Sequence, residues 1–341
     1  MNQEVVFIVD FVKLKIHIPP ENIKKSEWVK RNYNNNGWES EWCFANKGKV
    51  KLKYSDLSQN LYIEGRIINL ITKSYYLNFD DFENEELIID SFFDTANKYI
   101  NTKLTNFDFD ISKMKVTQIE YSFNIKYACV SEYVEFLNYL YVQNTSRKYR
   151  NYADYTVKKG EDPTGSFYYK TNGDYKHNSF KNFCINIYNK PAQLKNKREK
   201  NISDFHKSYV KNKDIQESSD ILRIECKVGY EYRERICKRY NIEPTFENLF
   251  DKQIAKDATI HQLNRCFGAG DFYSKKSAEK IIADNNLKIN LDIPISELSE
   301  YKYGKFKKNL ENLGICPYGF IPEEWGIEKL DNPINLILNK K

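Results

Sequence analysis

Within VTQIEYSFNIKY, positions 116–127, apolar and polar residues alternate without a break from Gln118 onward. Ile119, Tyr121, Phe123 and Ile125 fall on one side, and Gln118, Glu120, Ser122 and Asn124 on the other. Successive side chains of a β-strand point to opposite faces, so a period of two predicts a strand with one face on a core. The pattern recurs three times. VVFIVDFVKLKIHI sets Val12, Leu14, Ile16 and Ile18 against Lys13, Lys15 and His17. NFCINIYNK sets Phe183, Ile185 and Ile187 against Asn186, Tyr188 and Lys190. ILRIECKV sets Leu222, Ile224 and Cys226 against Arg223, Glu225 and Lys227. Four half-apolar strands can bury their faces only together, which demands a sheet backed by other elements.

Shorter strands are expected around EWCFAN, KVKLKYS, NLYIEGRI and GSFYYK, with turns at NYNNNG and TNGD. ELIIDSFFDTANKYIN reads as a helix, and so does EYVEFLNYLYVQN, with Ser131 as its N-cap. The polar stretch from Lys190 to Asp220 reads as a mobile loop or an irregular helix. Beyond about residue 228 the pattern turns helical. One helix is expected to end at Gly268, a second to start after Ser274, and a third to run from Ser296 to Gly314. The expected class is α+β: an antiparallel-sheet domain over 1–242, then a helical C-terminal domain over 243–341.

Charge is spread unevenly over the 341 residues. Positions 141–240 carry +10 and the remainder −4. A basic middle, including Lys158 and Lys159, suits a polyanion-binding surface, and suits a solvated lysine-rich face equally well. The seven cysteines form no CxxC pair, so they read as free structural thiols. Apolar runs are too short to span a bilayer, and the N-terminus lacks a secretory pattern, so a cytoplasmic protein with no membrane partner is expected.

The polar faces of three strands carry chemistry: Glu120 on the first, Tyr188 with Asn186 and Lys190 on the second, Arg223 with Glu225 on the third. In one sheet with those faces aligned they would form a cleft. Such a cleft suits phosphoryl transfer to a tyrosine. A phenol titrates near 10 and needs help to attack at neutral pH, which an adjacent lysine would give by favouring phenolate. Paired carboxylates hold Mg²⁺ or Mn²⁺, and an arginine forks onto phosphate oxygens. Each piece also has an ordinary reading: a strand tyrosine that packs, a solvated glutamate, an Arg223–Glu225 ion pair within the sheet. Glu64 is a further carboxylate. His17, His177, His206 and His261 stand singly, with no His-hydrophobic-His pair.

In order and spacing these segments resemble the gene II/X-type replication initiators, the rolling-circle nickases of filamentous phages and small plasmids. VDFVKLKIHIPP is similar to that family's opening strand, and LYIEGRIINLITKSYYLNFDDF to its Glu-Gly block. VTQIEYSFNIKY is similar to its acidic strand, INIYNK to its Tyr-Asn/Asp-Lys strand, and LRIECKVGYEYRERICKRYNI to its Leu-Arg-Phe-Glu strand and following helix. Staphylococcal plasmid initiators share the Tyr-Asn-Lys then Arg-x-Glu order. The resemblance covers roughly residues 5–260. It implies that Tyr188 is the nucleophile, that Glu120 and Glu225 are metal ligands or acid–base groups, and that Arg223 and Lys190 contact phosphate. This chain has Gln118-Ile119-Glu120 where the family has an Arg-Ile-Asp-like run, and Arg66 where a small polar residue is expected.

The resemblance implies a metal-dependent, site-specific single-strand DNA endonuclease and strand transferase. It would nick a replication origin and hold the 5′ end as a phosphotyrosine. Origin DNA, duplex and single-stranded, is the expected partner. A host helicase is a candidate second partner, and a dimer a candidate assembly. Two alternatives stand beside it: a non-catalytic nucleic-acid-binding protein, and a conjugative relaxase, which the missing histidine motif disfavours.

Overall fold

The structure is a computed structural model, and it describes residues 5–30, 37–39, 43–45, 48–67, 85–105, 110–143, 166–170, 183–200, 212–293 and 298–338. Lys158, Lys159, His177 and His206 lie outside these residues.

Among the described residues, ten strands form one antiparallel sheet. In chain order they are β1 (Val5–His17), β2 (Val29–Lys30), β3 (Gly37–Glu39), β4 (Cys43–Ala45), β5 (Gly48–Ser55), β6 (Asn60–Gly65), β7 (Lys115–Lys126), β8 (Ser166–Lys170), β9 (Phe183–Asn189) and β10 (Ile221–Val228). Their spatial order is β2-β3-β5-β6-β1-β7-β10-β9-β8, with β4 paired to β5. The four alternating segments of the sequence are therefore neighbours at the centre, β1-β7-β10-β9. Register keeps their apolar positions level: Phe7, Phe123 and Ile224 share one row, and Ile187 pairs with Ile224.

Helices cover that apolar face. The first is α1 (Glu85–Lys103), whose Phe92, Ala96 and Ile100 recur at one-turn spacing and are fully buried. The second is α2 (Val130–Gln143), burying Tyr133, Phe136, Leu137 and Leu140. It starts at Val130, so Ser131 lies inside the helix rather than capping it, and its hydroxyl accepts a bond from the Asn189 amide at 2.9 Å. The polar stretch after β9 is helical at both ends, as α3 (Lys190–Lys200) and α4 (Asn212–Glu217). Then come α5 (Tyr230–Tyr240), α6 (Phe246–Leu249) and α7 (Lys252–Phe267). Gly268 ends α7 at φ 68, a left-handed backbone that glycine adopts without penalty.

Residues on both sides of position 242 share one core. Phe246, Leu249, Ile254, Leu263, Ile334 and Ile337 join the cluster built on the sheet. Buried hydroxyls tie the two parts as well: Tyr121 donates to the Leu249 carbonyl at 2.9 Å and Tyr133 to the Asp331 carbonyl at 2.8 Å. The remaining elements are β11 (Phe272–Tyr273), α8 (Lys275–Asp284), α9 (Glu300–Asn312), β12 (Lys329–Leu330) and α10 (Pro333–Leu338). The expected all-helical end thus contains a two-stranded sheet, β11 with β12. Ser274 caps α8 as expected, and α9 is capped by Ser299, while the expected start at Ser296 lies outside the described residues.

Six described cysteines are free thiols, four of them buried. Among the described residues no helix is long and apolar enough to cross a membrane.

Candidate active site

The polar faces of β1, β7, β10 and β9 lie on the side of the sheet opposite the core, and their side chains meet around Arg223. That guanidinium is only 3% exposed and has three partners. Nε lies 2.8 Å from Glu225 Oε1, and Nη2 lies 3.1 Å from Asp10 Oδ1 and donates to Ser122 Oγ at 3.2 Å. A buried guanidinium persists only when its charge and N–H groups are matched in this way.

Tyr188 completes the group. It pairs with Arg223 across the β9–β10 ladder, and its hydroxyl donates to Glu225 Oε1 at 2.6 Å. The ring is buried on the polar side of the sheet, not in the apolar core. Burial, reinforced by the charge and hydrogen bond of Glu225, raises the phenol well above 10, and Arg223 opposes this only in part. A lysine-stabilised phenolate, expected from the sequence, is not what this geometry produces. Lys190 explains why. The strand ends at Asn189, and Lys190 opens α3, with Pro191 next to it in the first turn where proline is favoured. Its ammonium stands over the ring of Tyr188, 5.7 Å from the centroid, and donates to Gln193 Oε1 at 3.1 Å.

Three carboxylates converge here. Asp10, Glu120 and Glu225 each place an oxygen within 4.8 Å of the others. Asp10 is not among the site residues that alternation points to. It is 4% exposed in the middle of VVFIVDFV, and the ladder between β1 and β7 shifts register there, pairing Val9 with Tyr121 and Phe11 with Glu120. Asp10 is the extra residue of this bulge, a device that re-aims one side chain. The available signal was a lone acid in an apolar run, which must find a cation or lose its charge. Arg66 supplies a second guanidinium, 3.8 Å from Asp10 Oδ2.

Two guanidiniums against three acids leave negative charge uncompensated. Glu120 registers it: burial, then repulsion from Glu225 and Asp10, push its carboxyl up to about 8. Oxygen-only donors at this mutual spacing fit a hard divalent cation such as Mg²⁺ or Mn²⁺, whose ligand distances are about 2.0–2.6 Å. Asn186 and Asn124 also stand on this face, opposite Glu225 and Arg223 in the ladders, and the amide oxygen of each is buried with no hydrogen-bond partner.

Other candidates lie apart. Glu64 is buried between Lys13 at 2.8 Å and Lys53 at 3.1 Å, and is not one of the three converging carboxylates. His17 is exposed at the end of β1, and His261 stacks on Tyr232. Tyr168 and Tyr169 occupy β8 positions opposite Asn186 and Ile185. No protein-family model matches the chain, and no curated protein is significantly similar to it.

Proposed function

We propose that the protein is a metal-dependent DNA nickase and strand transferase of the rolling-circle initiator kind, with Tyr188 as nucleophile. One observation carries the reading: a tyrosine hydroxyl hydrogen-bonded at 2.6 Å to a carboxylate that belongs to a three-acid cluster. The carboxylate of Glu225 is placed to take the phenol proton as the Tyr188 oxygen forms its bond to phosphorus. The P–O3′ bond breaks, and the departing 3′ oxygen takes a proton from solvent. A phosphotyrosine conserves the energy of the phosphodiester, so the reverse attack by a 3′ hydroxyl reseals DNA without a nucleotide cofactor. Arg223 and Arg66 bring positive charge to the developing phosphorane. Asp10, Glu120 and Glu225 would hold Mg²⁺ or Mn²⁺, which when bound polarises the phosphate.

The test is a denaturing gel of protein with Mn²⁺ and 3′-end-labelled single-stranded DNA of random sequence, whose label stays with the fragment joined to the protein. The expected result is a protein-linked labelled fragment, absent in EDTA and absent with Tyr188→Phe. A second reading is favoured by the burial of Tyr188 and its raised phenol. In it Tyr188 only holds Glu225, and the acids direct water at the phosphate. Cleavage that persists in Tyr188→Phe without an adduct selects that reading. No metal-dependent cleavage by the wild type refutes both and leaves a nucleic-acid-binding module.

A further inference from the structure

Beside the acids, the same face of the sheet changes sign. Adjacent rows of the ladder there hold Lys51, Glu64, Lys13 and Gln118, then Lys53, Tyr62, Lys15 and Lys115. Five lysines thus share these rows with Glu64, and Glu39 of β3 stands opposite Lys53 at the edge of the second row. Glu64 bridges Lys13 and Lys53, which leaves the patch strongly positive. Lys51 is buried, and the rest is open to solvent: Lys115 is exposed, the side chains of Lys13 and Lys53 are 30% and 33% exposed, and Lys15 and Tyr62 are half-buried. The ammonium of Lys13 stands 5.0 Å from the centre of the Tyr62 ring, so cation and aromatic are already side by side. The strip runs directly into the acid cluster, since Gln118 of the first row is followed on the same face of β7 by Glu120, and Glu64, near the end of β6, lies two residues before Arg66.

We infer that this strip on β5, β6 and β1 is the track for the single-stranded DNA flanking the scissile phosphate. The inference rests on the reading that Tyr188 and its acids act on a phosphodiester. Lysines in consecutive rows are spaced along the strand direction by about 7 Å, a regular ladder of point charges for a backbone. Tyr62 offers a ring on which a base stacks, the sequence-tolerant contact typical of single-strand binding. The acids cannot serve as this track, because they repel phosphate wherever a cation does not intervene. The basic 141–240 window is not required for it.

The experiment measures binding of a fluorescein-labelled random-sequence oligonucleotide in EDTA, where no cleavage competes, over a range of salt. Wild type is compared with K15A/K53A/K115A, which leaves Lys13 to pair with Glu64. Each lost lysine–phosphate contact lowers the slope of log affinity against log salt by about 0.7, so the triple variant is expected to lose about 2 from the slope. An unchanged slope and affinity overturns the track. A wild-type measurement guards against a misfolded variant: photocrosslinks from 5-bromouracil DNA are expected on the peptide containing Tyr62, and crosslinks confined to peptides outside β1, β5 and β6 overturn the inference. The two readings fail separately. Wild type that binds through the strip but forms no Mn²⁺-dependent adduct keeps the track and refutes the nickase. A triple variant that forms adduct like wild type at limiting DNA refutes the track and keeps the nickase.

Discussion

Tyr121 and Tyr188 stand on neighbouring parts of one sheet, on opposite faces. Both are buried, and burial raises both phenols well above 10. Tyr121 points into the apolar core and donates to a backbone carbonyl, that of Leu249. Tyr188 points to the polar face and donates to a carboxylate. A carbonyl oxygen accepts a hydrogen bond but cannot take the proton; a carboxylate can. The difference teaches that burial and a raised pKa do not mark a reactive tyrosine by themselves. The partner of the hydroxyl is what separates these two, and it gives Tyr188 alone of the pair a neighbour able to accept its proton.

The largest expected effect breaks this comparison by removing one oxygen from each ring. Tyr188→Phe is expected to abolish the covalent adduct altogether, since phenylalanine has no oxygen to attack phosphorus. Tyr121→Phe is expected to leave adduct formation unchanged and to cost stability of roughly 1–2 kcal/mol, the usual consequence of an orphaned buried acceptor. Denaturing gels and urea melts of the two variants measure this. Adduct formation lost equally in both would mean that the two faces are not functionally distinct.

Next in size is the charge network. Arg223→Ala would leave Asp10 and Glu225 buried without their shared cation, and is expected to destabilise the fold by about 3–5 kcal/mol. A shift in the urea midpoint reports it. Asp10→Asn keeps the shape and removes one acid. Mn²⁺-dependent cleavage is then expected to fall by about two orders of magnitude, with DNA binding in EDTA preserved. Wild-type cleavage by Asp10→Asn would remove Asp10 from the site.

How much of this was visible beforehand follows from local geometry. Period-two alternation put Glu120, Tyr188, Arg223 and Glu225 on polar strand faces, and the structure brings those four together. Three things escaped. Asp10 was hidden because the bulge between Val9 and Phe11 breaks the parity by which faces are counted. Lys190 continues the alternation but lies past the end of the strand, because alternation carries no stop signal; Pro191 is the signal that the strand has ended. Glu64 shared the face but not the row, and rows depend on register between strands, which a single sequence does not reveal. The position of the later helices on the sheet core was likewise beyond reach of local pattern.

The smallest expected effect sharpens the comparison through pH. Glu120 is half-buried beside two other acids, and its folded-state carboxyl titrates at about 8, against an ordinary value of 4.5. Between those two values the folded protein holds a proton that the unfolded chain has released. Stability from this group is therefore complete below about 4.5 and falls as pH rises, by at most about 1.4 kcal/mol per pH unit up to about 8. Glu120→Gln keeps the shape, carries no proton to lose, and is expected to flatten that part of the curve. The two proteins should have similar urea midpoints at pH 5, and the variant the higher one at pH 8.5, with both in EDTA. Added Mn²⁺ should erase the gap by stabilising wild type above pH 7, because a cation held by the three acids favours the ionised carboxylate. Parallel curves for wild type and variant across this range would show that Glu120 is not under the repulsion of Asp10 and Glu225. A gap that Mn²⁺ leaves untouched would show that the three acids do not hold the ion.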